Sequence, residues 1–118
     1  MNDDKEKLLK QVNLDIIFFF LAIVAAIISF YIINEKKKSI LNIESISNEK
    51  ANEIYWYNRV LRLIIAIYFF LNAYYSYKEA EELASKKQEE LLVAATFLAL
   101  ISAILYLPLG NSNLIIEN

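Results

Sequence analysis

Two aromatic clusters, Tyr55-Trp56-Tyr57 and Tyr74-Tyr75-Ser76-Tyr77, bracket a mostly apolar run. From Trp56 to Tyr75 is 19 residues, or about 28 Å of helix at about 1.5 Å per residue. A bilayer's hydrocarbon core is about 30 Å thick. Tyr and Trp favour the membrane–water interface, because their rings are apolar and their polar tips want water. The spacing therefore predicts a membrane-crossing helix with a belt at each face.

The remaining sequence extends this pattern to three spans. Apolar residues make up 58 % of the 118-residue chain, above the ~45–50 % usual in soluble domains. One Gly and one Pro leave little material for turns, so few and long helices are expected. Ile16 to Ile33 and Leu91 to Leu109 carry no charge and meet the length criterion for spanning helices. The first run is too long for the apolar part of a signal peptide and is read as retained. The expected fold is an all-α membrane protein: one domain of three transmembrane helices in an up-down-up bundle. Its spans lie near 14–34, 56–77 and 90–109, with a polar loop at 35–55 and a charged turn at 78–89.

Local signals set the expected ends. Leu8, Leu9 and Val12 suggest a short amphipathic lead near the interface. Asn34-Glu35-Lys36-Lys37-Lys38 stops the first span, and a turn is expected near 44–48. Ser47 or Asn48 can cap helix 2. That helix should run from about Glu49 to about Ala84, past the bilayer, because Lys78 to Ala84 are strong helix formers. Ser85-Lys86-Lys87-Gln88 fits a capping box and is the expected turn before helix 3. Pro108 and Gly110 end the last span.

Small residues mark candidate packing seams, since they let helices approach closely in lipid. Ala66, Ala73 and Ala80 repeat every seventh position, and Ala95, Ala99 and Ala103 every fourth. Four polar residues are candidate functional, lipid or partner contacts. Arg62 lies six residues inside Trp56, about 9 Å deeper. The simpler reading of Arg59 and Arg62 is snorkelling to the headgroups. The others are an ion pair with Glu35 or Glu53, or a basic lining for an anion or lipid headgroup. Asp15 is placed at the interface near Lys78. Asn72 reads as glue between helices or as a ligand contact. Tyr68 sits too deep for the belt to explain it.

With neither Cys nor His, the chain lacks thiolate chemistry and the commonest general base and metal ligand. No catalytic residue, cofactor site or metal site is expected, nor nucleic-acid binding, given a net charge of −2. Length and three-span layout resemble the small bacterial diacylglycerol kinases in size alone. Asn72-Ala73 is followed here by Tyr74-Tyr75 rather than an acidic residue, and no function is carried across. Abundant Lys, Asn and Ile suggest a bacterial origin.

The leading expectation is a non-enzymatic, helix-packing membrane protein, either an accessory or regulatory subunit or a homo-oligomer. The alternative is a pore-forming or holin-like permeabilising protein, or a small channel or transporter. Basic residues divide six against six between the two sides. Lys36–Lys38, next to the first span, favour a cytoplasmic 34–59 loop and an outside N-terminus in the cell membrane.

Overall fold

The structure, a computed structural model, describes residues 3–80, 83–109 and 114–116. These fold into three helices: α1 (Asp3–Ile40), α2 (Asn48–Glu79) and α3 (Leu83–Tyr106). Each is long and apolar enough to cross a membrane.

Helix α1 is one unbroken helix of 38 residues. No Gly or Pro interrupts it, and Asp3, Asp4 and Glu6 in the first turn, with Lys37 and Lys38 in the last, complement the helix dipole. Its length of about 57 Å nearly matches the 60 Å long dimension of the molecule. The amphipathic lead is thus the first three turns of α1.

The stop is sharper and earlier than the turn expected near 44–48. Asn42 takes a left-handed conformation, φ 58°, which Asn tolerates better than most residues. Ile43 N–H then donates to Lys38 O at 2.9 Å, and Asn42 N–H to Ser39 O at 3.3 Å. These are the two bonds of a Schellman closure. Ser47 caps α2, its side chain accepting from Lys50 N–H at 3.1 Å.

Helix α2 ends before Ala84, and the turn is not at Ser85-Gln88. Ala80 is the C-cap, in an extended conformation, and α3 has begun by Leu83. The Ser85-x-x-Gln88 pattern lies inside α3. Glu81 and Glu82 lie outside the described residues, as does Gly110. At the far end α3 stops at Tyr106, two residues before Pro108, whose ring disfavours helix in the residue ahead of it.

Helix α2 is the axis of the assembly. Among the described residues, helices α1 and α3 each pack on α2 and not on each other. Against α1, Phe18 stacks on Tyr68 with ring centroids 3.8 Å apart, and Phe19 meets Phe69 at 4.9 Å. Against α3, Phe70 meets Phe97 at 5.7 Å. A small core of Ile32, Ala51 and Ile115 closes the end where α1 turns into α2. Residues 114–116 are held there by two bonds: Ile115 N–H donates to Asn48 Oδ1 at 3.0 Å, and Ile116 N–H to Ser39 Oγ at 3.1 Å.

Candidate functional site

Two faces of α2 carry its polar residues. Asn58, Arg62, Ile65, Phe69 and Asn72 recur at spacings of four and three, which keeps them on one side of a helix. That side meets α1. Arg59, Ala66 and Ala73 recur at seven and lie on the side of α3.

On the α1 face, one cluster surrounds Asp15. Its Oδ1 accepts from Tyr68 OH at 2.7 Å, Asn72 Nδ2 at 3.1 Å and Gln11 Nε2 at 3.3 Å. Gln11 Nε2 also donates to Asn72 Oδ1. Asp15 is thus held by side chains of α1 and α2. Lys78 lies over the Tyr74 ring at 5.0 Å. Along α2 the cluster spans Tyr68 to Asn72, one turn of helix. Tyr68, unexplained by any belt, is the closest donor to Asp15.

The second cluster lies toward the other end. Asn58 Nδ2 donates to Ser29 Oγ at 3.0 Å, and Arg62 Nη2 donates to the same oxygen at 2.9 Å and to Ala25 O at 3.4 Å. Ser29 is level with Asn58, so the Arg62 side chain reaches back about one turn toward the Trp56 end. That is the direction of snorkelling, but its partners are α1 atoms.

Arg59 is only 4 % exposed. Its Nη1 donates to Tyr106 O at 3.1 Å and Leu107 O at 3.4 Å, and its guanidinium lies 5.2 Å from the Tyr55 ring centroid. The last carbonyls of a helix have no partner within it and carry the negative end of its dipole. Arg59 fills that role for α3. Among the described residues neither arginine pairs with Glu35 or Glu53; Glu35 instead pairs with Lys38 at 3.6 Å.

Between α1 and α3, and floored by α2, lies a cleft of about 720 Å³. Ala22 and Ala25 line one wall, Ala99, Ser102 and Ala103 the other, and Asn58, Arg59 and Arg62 the floor. Two buried polar atoms of that floor, Asn58 Oδ1 and Arg59 Nε, have no hydrogen-bond partner among the described residues. Among those residues no carboxylate lines the cleft.

The candidate packing residues are distributed unevenly. Ala73 is 3 % exposed, buried within the chain itself. Ala66 is half-buried at the cleft, and Ala80 is half-buried at the α2 C-cap. Ala99 and Ala103 line the cleft, while Ala95 is exposed outside it.

Gln11 and Asn58 were not singled out in the sequence. Their signal was there as polar pairs four apart: Gln11 with Asp15 and Asn58 with Arg62. Each pair shares one helix face.

No protein-family model matches this chain, and neither does any curated protein or solved structure.

Proposed function

We propose that the chain crosses the bilayer three times, up-down-up, as a single domain. It acts by packing against other membrane proteins, as an accessory or regulatory subunit or as a homo-oligomer, and not by catalysis. The observation that carries this is the state of α3. Although long and apolar enough to span, it has no buried side chain among its described residues. In lipid there is no hydrophobic drive between helices, and association follows close packing at small residues. Ala95, exposed and outside the cleft, gives α3 such a point of approach to a neighbour.

The polar residues favour this reading over a pore or holin-like protein. Gln11, Asp15, Tyr68 and Asn72 are turned into the α1–α2 contact and bond to one another, which leaves the polar residues of the cleft too sparse for a continuous stripe among the described residues. Lys36–Lys38 at the end of the first span support a cytoplasmic 34–59 loop.

Crosslinking in nanodiscs tests the proposal. The wild-type chain should give dimers or larger species, or carry a partner protein through purification in mild detergent, and Ala95→Leu should weaken that association. A chain that is monomeric and travels alone removes the proposal.

A further inference from the structure

We propose that the cleft between α1 and α3 binds an anionic phospholipid of the surrounding bilayer. Arg59 and Arg62 hold its phosphate, and an acyl chain lies along the groove of small residues.

The shape of the cleft suits a lipid chain. Along α2 it runs from Tyr55 to Phe69, about 21 Å of helix rise, a length that an extended hydrocarbon chain can follow. The walls suit such a chain, with Ala22 and Ala25 facing Ala99 and Ala103. The volume also falls within the ~300–1,000 Å³ of small-ligand sites.

The charge selects an anion. Two guanidinium groups stand on the floor, and among the described residues no carboxylate lines the cleft. Among the described residues Arg59 is offset by the carbonyls at the end of α3 and by the Tyr55 ring, and Arg62 by Ser29 and Ala25, none of them a carboxylate. A cation held away from water without a counter-charge is costly. Arg59 Nε is buried with no partner among the described residues. Arg62 is exposed at the cleft and bonds there through Nη2 alone. Donors therefore remain on both residues for a phosphate, which Arg recognises well.

The depth agrees. Arg62 reaches back to the level of Asn58, two residues inside Trp56, about 3 Å along the axis. A phosphate there lies at the headgroup boundary while its chain follows the groove inward. Asn58, 2 % exposed, lines the same floor with a free Oδ1. That atom can only accept, so it suits a headgroup hydroxyl, which points to a glycerol headgroup.

Native mass spectrometry of the full chain, released from phosphatidylcholine nanodiscs doped with phosphatidylglycerol, tests the site. Phosphatidylglycerol should remain bound in preference to phosphatidylcholine. Arg62→Gln should cut its retention about fivefold, the share of one basic residue at a membrane surface. Ala99→Leu should also reduce it by narrowing the groove. Neither residue is buried, so both variants should keep the wild-type circular dichroism. Phosphatidic acid, which lacks a headgroup hydroxyl, should be retained less well. The assignment fails if the wild type holds both bulk lipids equally, or if Arg62→Gln retains phosphatidylglycerol as before. Equal retention of phosphatidic acid overturns the role given to Asn58. A dimer that releases without lipid, and that Ala99→Leu dissociates, shows a second copy in the cleft and overturns the site. The inference goes beyond the packing proposal: lipid retained by a monomer would support the site and remove packing, and crosslinked protein without lipid would do the reverse.

Discussion

Asp15 and Tyr68, 53 residues apart in sequence, are joined by a hydrogen bond of 2.7 Å. The bond fixes the register of α1 on α2, because Phe18, one turn from Asp15, stacks on the Tyr68 ring. One tyrosine thus meets α1 through both its hydroxyl and its ring.

Replacing Asp15 should therefore weaken the α1–α2 contact. Asp15→Leu removes the acceptor shared by Tyr68, Asn72 and Gln11. A lost hydrogen bond between membrane helices costs about 0.6 to 2 kcal/mol. Unfolding by SDS in mixed micelles should move to lower SDS, and Asp15→Asn, which keeps an acceptor oxygen, should lose less. Identical unfolding of wild type and Asp15→Leu would show that the cluster adds nothing to stability.

Arg59 should hold the end of α3. Arg59→Met keeps much of the side-chain volume and deletes the donors to Tyr106 O and Leu107 O. Amide hydrogen exchange over residues 103–107 should speed up, while exchange in the middle of α2 changes little. If α3's last turn exchanges at its wild-type rate, the carbonyl contacts are incidental.

Ala73 and Ala95 should answer a larger side chain differently. Ala73 is buried inside the chain, so Ala73→Leu overpacks the fold, at about 1–3 kcal/mol. Ala95 is exposed, and Ala95→Leu should leave stability near wild type and act on association alone. SDS unfolding for the first and crosslinking for the second make the comparison. A stable Ala73→Leu variant that merely loses crosslinks would place that seam between chains instead.

Helix existence was legible from local signals. The uncharged runs and absence of internal Gly or Pro call for long helices, and Ser47 was one of the two caps expected. The turn into α3 was not legible. Ser85-x-x-Gln88 resembles a helix start, yet the chain breaks near Ala80, where no residue type marks it. A capping pattern permits a helix to begin and does not require it.

The partners of the polar residues were the least legible. Sequence put snorkelling first for Arg59 and offered acids as its side-chain partners, because opposite charge is visible in residue names. Its actual acceptors are backbone carbonyls, which every residue possesses and which become special only where a helix ends in space. Asp15 likewise was placed beside Lys78 by its position just before the first span. Its bonds to Tyr68 and Asn72 depend on the register of α1 on α2.

The sequence by itself determined that this chain forms three helices of span length, since apolar length and missing breakers act along a single segment. The tertiary structure decided which faces of α2 meet α1 and α3, and that α1 and α3 stay apart. It also decided that Arg59 and Arg62 share the floor of a cleft. Those outcomes depend on the relative rotation and register of helices, set by contacts such as Phe18 on Tyr68 between residues far apart in the chain.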